Sequence, residues 1–451
     1  MLLSRRVCLL QWALVAQVGL GAVPPAPPAA NITSVPDMPK GAAVGGRDDG
    51  LSVVIGGFNC FLFGDTILTQ SNSVGDYWVV NTMYHTTDSN ADDGLVPGFN
   101  YKSSGHPPLQ FVPYTAAEQA YKEAHQAIDG YLPGIWPMGQ FFDPYDARHY
   151  ITFTKVIERP ALLWIEVGSG LAILPTDPIN NTATRVQSRP GNAEDYLMWD
   201  SSERDWGHMC AVLGDHVYFY HVEGQNFGAL RVARAYLQDG PDDGTAPDFL
   251  EKTNWQYWDG SGWITNSPSS AAVLFYGTGV GTVDWNAYLP NGEGGNGCYL
   301  FTYLSWVSTN ICVRASADLI HWSPERIIAT VPNIPSGSFP YLGRAHYGLE
   351  KERGRIIYIS YCRPVQGFTQ DISMIRAEFP RPTLRAQLTP TNTLLVTWSA
   401  AFGSGFVLQE NSDPAMANWS TNDAPVGQLN GTNQAVIFPS SGRQFYRLVL
   451  P

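Results

Sequence analysis

The chain has 451 residues, only 15% of them charged, and its 27 lysines and arginines are outnumbered by 40 aspartates and glutamates. The formal net charge of −13 argues against nucleic acids and anionic membranes as partners, because both repel an acidic surface. Plentiful glycine and aromatic residues, with short apolar runs between turn residues, favour an all-β fold.

The first segment, residues 1–22, is predicted to be an export signal peptide. Arg5 and Arg6 precede an uncharged apolar stretch that is short for a membrane span, which needs about 20 residues. We therefore expect a secreted or periplasmic protein without a membrane anchor, and we expect it to be a monomer. Residues 23–41 contain many prolines and are predicted to form an extended linker, so that folded structure begins near Ala42.

Residues 42–380 are predicted to form a five-bladed β-propeller. Apolar hairpins with glycine-containing turns recur along this segment, and they begin at Arg47, Trp136, Gly207, Asp284 and Ala345. A degenerate repeat of this kind is typical of propeller blades, whose inner strands surround a central axis. A helical pattern from Thr115 is interpreted as an insertion between the first two blades.

Residues 383–451 are predicted to form a separate β-sandwich that serves as an accessory domain. This segment has short alternating strands, and Trp398 is its expected core residue. Five cysteines follow the signal segment without any CxxC pair, and we interpret them mostly as small buried apolar residues. Cys298 and Cys312 are expected to be unbonded to each other.

Several enzyme classes are disfavoured because their motifs are missing. The sequence has no HExxH, no EF-hand loop, no GxxxxGK and no GxSxG. We therefore expect no cofactor and no catalytic metal. Asp143 and Asp146 lie in a predicted loop and leave a structural calcium site open.

Two aspartates of the first hairpin are the main catalytic candidates. If the chain turns at Gly56 and Gly57, residues whose numbers sum to 113 face each other, and Asp48 and Asp65 form such a pair. Their Cβ atoms would then lie about 4.5–5.5 Å apart. Because like charges in this arrangement destabilise a sheet, we infer that the pair serves a chemical function.

Further polar residues are expected at the same end of the propeller, around one binding funnel. His208 is predicted to lie opposite His221, and Asp284 and His346 begin the corresponding strands of two later blades. The predicted substrate-binding residues are Arg47, Asn81, His208, Asp284, Trp285, Asn286 and His346.

A pair of carboxyl groups in a polar, aromatic funnel is suited to glycosidic hydrolysis, in which one acts as acid and the other as base or nucleophile. Asp65 follows an apolar run and is predicted to be the acid, whereas Asp48 has polar neighbours and is predicted to stay ionised. Strands splay at the end of a ladder, which separates the two groups. This favours inversion over retention.

The segments GRDDG, FLFGDT, VDWNAYL and ICVRASADLIHW, with Asn81-Thr82, resemble a family of secreted five-bladed propellers that includes endo-D-arabinanases. The resemblance covers residues 42–380 and implies that the Arg-Asp and Phe-Gly-Asp-Thr aspartates, here Asp48 and Asp65, are essential. It also implies an arabinan-like or other furanose-containing polysaccharide as substrate. The C-terminal segment resembles a small β-sandwich module of secreted bacterial enzymes. Asp49 and the helical insertion depart from the family pattern.

Two other functions remain open at the level of the sequence. The same funnel would serve a non-catalytic glycan-binding propeller, in which Asp48 and Asp65 only close turns. A polysaccharide lyase would use His208 or His346 as its base, although the net acidity disfavours the uronate substrates of such enzymes. Glu166, in an apolar strand, is an alternative general acid.

Overall fold

The computed structural model describes residues 22–96, 107–160, 163–192, 194–238, 247–293, 295–332, 339–366, 369–403, 405–438 and 442–450. Nearly all regular structure in these ranges is β-strand, as predicted, with two α-helices, α1 (Ala116–His125) and α2 (Ala400–Gly403). The predicted signal peptide lies outside the described ranges apart from its last residue. Within those ranges, no helix is both long and apolar enough to cross a membrane.

Five antiparallel sheets of four or five strands are described between residues 31 and 378. Sheets 1 to 3 contain β2 (Val44–Ile55), β3 (Phe58–Leu68), β4 (Trp78–Val79) and β5 (Thr82–Thr86); β6 (Leu132–Asp143), β7 (Arg148–Arg159), β8 (Leu163–Ile173), β9 (Thr184–Arg185) and β10 (Trp199–Asp200); and β11 (Met209–Leu213), β12 (His216–Glu223), β13 (Ala229–Tyr236), β14 (Gln256–Trp258) and β15 (Trp263–Thr265). Sheets 4 and 5 contain β16 (Gly281–Pro290), β17 (Asn296–Leu304), β18 (Asn310–Ser316) and β19 (Arg326–Thr330); and β20 (Tyr341–Ala345), β21 (Ile356–Gln366), β22 (Thr369–Glu378) and β1 (Asn31–Val35).

The first strands of the five sheets contact one another in a closed cycle. β2 contacts β6, β6 contacts β11, β11 contacts β16, β16 contacts β20, and β20 contacts β2. This cycle of contacts arranges the five sheets around a common axis. Most of the apolar core lies between successive sheets, as in the cluster that joins Leu62 to Ile135 and the cluster that joins Leu300 to Ile359.

The predicted linker at residues 23–41 is partly wrong, because β1 belongs to sheet 5. Asn31 faces Glu378 and Val35 faces Met374 across an antiparallel ladder. Met38 is buried in the adjacent core. Prolines on both sides conceal a five-residue strand that contains two β-branched apolar residues, and prolines are tolerated beside an outer strand.

The predicted insertion helix is confirmed as α1. Thr115 caps its N-terminus and forms a reciprocal capping box with Glu118. Glu118 is buried and forms ion pairs with Lys155 of β7 and Arg185 of β9. The insertion is therefore anchored to sheet 2 by charge as well as by packing.

Two small sheets follow the five larger ones. They contain β23 (Arg385–Leu388), β24 (Leu394–Ser399), β25 (Val407–Asn411), β26 (Ser420–Thr421), β27 (Val426–Leu429), β28 (Thr432–Ile437) and β29 (Phe445–Val449). Trp398, the predicted core residue, is buried between them together with Leu408. Phe406 packs edge-on against Tyr288 of sheet 4, with ring centroids 6.1 Å apart.

The five described cysteines are all buried and unbonded. The predicted absence of a bond between Cys298 and Cys312 is thus confirmed. Burial raises the pKa of both thiols to about 12, so they remain protonated and act as small apolar side chains.

Candidate functional site

The hairpin of β2 and β3 has the predicted turn and register. Leu51 faces Leu62, and the same register returns at Arg47 beyond a β-bulge. The bulge lies at Asp49, whose φ of 66° is in the left-handed region, a conformation that aspartate tolerates better than most residues. Such bulges re-aim side chains next to active sites, and here the re-aimed residue is Asp48.

The bulge brings the Asp48 carboxyl group against the backbone of β3. A Cβ built on Gly64 would lie only 2.5 Å from Asp48 Oδ1, so this approach requires glycine. The Tyr341 hydroxyl donates a hydrogen bond of 3.2 Å to Asp48 Oδ2. Burial, and then the charges of Asp65 and Asp49, raise the pKa of Asp48 well above its usual value.

Asp65 lies beside Asp48 and has a second carboxyl neighbour, Glu158. The Trp136 indole donates a hydrogen bond of 3.2 Å from Nε1 to Asp65 Oδ1. Burial, the charge of Glu158 and a carboxyl–carboxyl hydrogen bond with Glu158 raise the pKa of Asp65 well above its usual value. Of the two carboxyl groups, Asp65 is therefore the one whose protonated form the neighbouring Glu158 charge favours.

Glu158 is the main functional candidate that the sequence analysis missed. It lies on β7, is 7% exposed, and its pKa is raised to about 7 by burial and by the charge of Asp48. A Cβ on Gly134 would come within 2.5 Å of Glu158 Oε1, so the neighbouring strand leaves room for this carboxyl group. The sequence feature that could have revealed Glu158 is a glutamate at the end of an otherwise apolar strand. Asp48, Asp65 and Glu158 are called the carboxyl cluster below.

An aromatic surface lies next to the carboxyl cluster. Trp164 is 59% exposed and packs edge-on against Trp136, with ring centroids 5.7 Å apart. Trp136 in turn contacts Asp65. An exposed indole at this position can stack on the apolar face of a sugar ring while the reacting bond lies near the acids.

Arg344 binds Asp49, the residue that follows Asp48 of the carboxyl cluster. It is fully buried, and its guanidinium binds both oxygens of Asp49 at 2.6 and 2.8 Å. It also donates hydrogen bonds to the carbonyl oxygens of Met138 and Gly281, at 2.7 and 2.8 Å. One side chain thereby connects sheet 5 to sheets 1, 2 and 4.

Three of the predicted substrate-binding residues are structural. Arg47 is buried, with its guanidinium over the ring of Phe63 and bonded to a backbone carbonyl. Asn81 uses its amide nitrogen and oxygen in four hydrogen bonds to backbone groups. Asn286 makes three such bonds. The amide groups of Asn81 and Asn286 are already satisfied inside the protein, so the prediction of substrate contact is wrong for them. Arg47 is too buried to contact a substrate, although its Nε has no hydrogen-bond partner among the described residues.

His208 belongs to a separate buried group with Asp205 and His221. Asp205 Oδ2 accepts a hydrogen bond from His208 Nε2 at 2.6 Å, while His221 Nδ1 bonds to the Asp205 backbone carbonyl at 3.2 Å and lies 2.7 Å from Asp205 Oδ1. Within the described ranges, this is the one group whose His, Cys or acidic ligand atoms are close enough together for a metal ion. However, His208 Nδ1 accepts the backbone N–H of Val222, so its Nε2 carries the proton and is not available as a ligand.

In the group formed by Asp205, His208 and His221, Asp205 Oδ1 is buried and has no hydrogen bond within the described residues, although His221 Nδ1 lies 2.7 Å from it. The charges and hydrogen bonds of the two imidazoles hold the pKa of Asp205 well below its usual value. Glu166 lies close enough that burial and the Asp205 charge raise its pKa to about 7. The predicted placement of His208 in a funnel with Asp48 is not observed, because its contacts are within sheet 3 and the preceding loop.

Asp284, Trp285 and His346 line a cavity that does not include Asp48 or Asp65. The predicted single funnel is thus divided, with Arg344 between its two parts. His346 is buried, and burial with the nearby Arg344 charge lowers its pKa to about 3. A lyase base at His208 or His346 would need contact with the substrate, which the burial of both imidazoles prevents.

The calcium alternative at Asp143 and Asp146 stays open, since Asp143 Oδ2 is buried and has no hydrogen-bond partner among the described residues. Asp143 accepts a backbone N–H from Tyr145, and Asp146 accepts the hydroxyl of Tyr150. No third acidic, His or Cys ligand joins them in the described part of the chain. These aspartates close the β6–β7 turn.

Comparisons with known proteins show similarity at the level of solved structures. No family model and no curated protein matches the chain. A proposed hydrolase of Bacteroides ovatus has 16% identity and a TM-score of 0.48, covering 75% of this chain and 87% of its own. The catalytic domain of a GH62 α-L-arabinofuranosidase from Coprinopsis cinerea has 12% identity and a TM-score of 0.38, covering 78% and 98%. A GH43 β-1,3-galactosidase has 10% identity and a TM-score of 0.35, covering 82% and 98%. Membership of the endo-D-arabinanase family stays a prediction.

Proposed function

We propose that the protein is a glycoside hydrolase whose reaction takes place at the carboxyl cluster. The observation that carries this proposal is the placement of three carboxyl groups side by side, with too few positive partners to neutralise them. Arg344 is bonded to Asp49 and not to the cluster. Packing acids together in this way destabilises the fold, and it is the equipment needed to protonate a leaving group and activate water.

The neighbours of each acid suggest its role. Asp48 accepts hydrogen bonds from the Tyr341 hydroxyl and from the backbone of Asp65, which lower its pKa, but burial and the charges of Asp65 and Asp49 outweigh them and raise that pKa, against the expectation that Asp48 stays ionised. A role as base therefore requires a pH above the raised pKa. Burial and the neighbouring Glu158 carboxyl group raise the pKa of Asp65, which favours its protonated form. We assign Asp48 as the base and Asp65 as the acid, with Glu158 holding the proton on Asp65. Inversion of the anomeric centre is expected.

The proposed architecture is a five-bladed propeller at residues 42–380 that is completed by β1, followed by a β-sandwich at 383–451. The closed cycle of first strands and the shared core of the last two sheets support it. A neutral, furanose-containing polysaccharide of the arabinan class is the proposed substrate. Trp164 provides a stacking face, and the acidic surface disfavours anionic glycans.

A polysaccharide panel tests the proposed activity. Purified protein is incubated with D-arabinan, L-arabinan, galactan, xylan and a uronate polymer, and new reducing ends are measured. Cleavage of a neutral furanose polymer, with the inverted anomer seen first by NMR, is the expected result. Binding of a glycan without new reducing ends would favour the non-catalytic propeller, and unsaturated products would favour a lyase.

The role of Glu158 predicts a change in pH dependence. In Glu158→Gln the like charge beside Asp65 is removed, so the pKa of Asp65 falls. Activity requires protonated Asp65 and is lost as pH rises through that pKa. The alkaline limb of kcat/KM should therefore move to lower pH by about one unit or more. An unchanged profile with uniformly lower activity would instead indicate a purely structural role.

A further inference from the structure

Glu166 is a carboxyl group of sheet 2 that the proposed reaction does not use. Its strand, β8, pairs with β7 so that Trp164 faces Glu158 and Glu166 faces Val156. Because residues two apart on a strand share a face, Glu166 lies on the same face as Trp164 and Glu158. As the diagonal neighbour of Glu158, it is about 7–8 Å away along the sheet. The surface beside the carboxyl cluster therefore carries a fourth acid.

The Glu166 side chain has no bonding partner and remains accessible. Among the described residues it forms neither a hydrogen bond nor an ion pair. Burial and the Asp205 charge raise its pKa to about 7, and the charge of His208 opposes this rise. Its oxygens keep accessible surface, unlike the buried unpaired atoms Asp284 Oδ2 and His346 Nε2. A partly buried carboxyl group of this kind is a candidate for ligand contact.

The face of sheet 2 that carries Glu166 is continuous with the carboxyl cluster. Trp136 donates its indole N–H to Asp65 and faces Thr154 across the β6–β7 ladder. The Thr154 hydroxyl donates a hydrogen bond of 3.4 Å to Asp205 Oδ2, and the Asp205 charge acts on Glu166. A sugar ring that stacks on the exposed indole of this face therefore lies within reach of both the carboxyl cluster and Glu166.

The residue types on this face select among ligand classes. A carboxylate accepts hydrogen bonds from two neighbouring hydroxyl groups, while an indole contacts the apolar face of the same ring. The acidic side chains of Glu158 and Asp205 disfavour uronates and sulfated sugars. Within the described ranges, Glu166 does not belong to any group of three close acidic, His or Cys ligands, so a metal ion is not indicated.

We propose that Trp164 and Glu166 form a subsite for one neutral sugar ring, in which the ring stacks on Trp164 and two adjacent hydroxyl groups donate to the Glu166 carboxylate. Glu166 is thus a specificity-determining residue that selects rings with two adjacent free hydroxyl groups, and it takes no part in bond cleavage. The inference rests on the proposed function, because the subsite holds the ring whose glycosidic bond reaches the carboxyl cluster. Its binding step can nevertheless be measured without cleavage.

Kinetics separate a binding role of Glu166 from a catalytic one. On a polysaccharide that the parent cleaves, Glu166→Gln and Trp164→Ala should each raise KM by about tenfold or more and leave kcat nearly unchanged. Glu350→Gln is the matched control, because Glu350 is also partly buried with its pKa raised to about 7, but it lines the cavity of Asp284. Trp306→Ala removes another partly exposed indole. A fall in kcat at unchanged KM in Glu166→Gln would make Glu166 a general acid and overturn the proposal.

A titration measures the subsite in the absence of turnover. The full chain with Asp48→Asn and Asp65→Asn is titrated by calorimetry at pH 8, where Glu166 is ionised, with arabino-, galacto- and glucosamine trisaccharides. At least one neutral trisaccharide should bind, and adding Glu166→Gln should weaken its binding by about tenfold or more. Adding Glu350→Gln should not. Equal binding with and without Glu166→Gln, or a preference for the cationic glucosamine trisaccharide, would overturn the proposal.

The proposed subsite and the proposed hydrolysis fail in different ways. Cleavage whose KM is unaffected by Glu166→Gln overturns the subsite and leaves hydrolysis at the carboxyl cluster in place. A parent chain that cleaves no polymer, but loses glycan binding on Glu166→Gln, supports the subsite and overturns the hydrolase. Absence of both binding and cleavage for every sugar tested overturns both.

Discussion

Replacement of Asp48 or Asp65 by asparagine should reduce kcat by about 10²–10⁴-fold on any polysaccharide that the parent protein cleaves. Asparagine keeps the size of each side chain but can neither donate an acidic proton nor accept one from water. Reducing-end release at saturating substrate measures the loss. Since each aspartate has a different role, the product anomer and pH profile of any residual activity should differ between the two variants.

The folded state should tolerate both changes. Desolvation and like-charge repulsion within the carboxyl cluster destabilise the folded state. Removing one charge is therefore expected to leave the melting temperature equal or higher. Glu251→Gln, an exposed change without side-chain partners, serves as the matched control. If either active-site variant turns over substrate at the parental rate, the pair is structural and hydrolysis at this cluster is refuted.

The second large effect concerns stability and comes from the ion pair on the axis. Asp49→Asn should lower the free energy of unfolding by about 3–5 kcal/mol, because it leaves the Arg344 charge buried without a counter-charge. Asparagine also tolerates the left-handed backbone at this position, so strain does not contribute. Urea unfolding, followed by tryptophan fluorescence, measures the change.

A double variant separates the charge from the packing. Arg344→Met combined with Asp49→Asn removes both charges and should recover part of the stability that Asp49→Asn alone loses. If Asp49→Asn alone lowers the free energy of unfolding by less than about 1 kcal/mol, the Asp49–Arg344 pair contributes no more than an exposed salt bridge does. In that case, Arg344 would not be the element that holds the sheets together around the axis.

Much of the first hairpin could be predicted from the sequence, because local rules determine it. Two adjacent glycines set the turn, the turn sets the register, and the register brings Asp48 and Asp65 to one end. The bulge at Asp49 could not be foreseen, since it depends on Arg344 from the last sheet. Glu158 was missed for the same reason, because its proximity to Asp65 is a contact between sheets.

The positions of the other predicted binding residues could not be predicted from the sequence. Asn81 and Asn286 have the residue type that binds sugars, but each uses its amide to fix backbone segments that the sequence does not show to be adjacent. His346 and Asp284 were placed with Asp48 because they begin equivalent strands. A position along a strand, however, determines which end of the axis a side chain reaches, and a shift of a few residues changes that end.

The strand β1 has a consequence for how the chain acquires its structure. Its partner, β22, is the last strand of the five large sheets in sequence, so the first described strand cannot be paired until the whole of that region has been synthesised. Contacts between such distant segments require a costly loop closure and slow the folding of β-rich proteins. Until β1 and β22 have paired, their free edges remain templates for the wrong chain. Truncation within residues 31–35 should therefore show itself first as poor yield and aggregation during refolding.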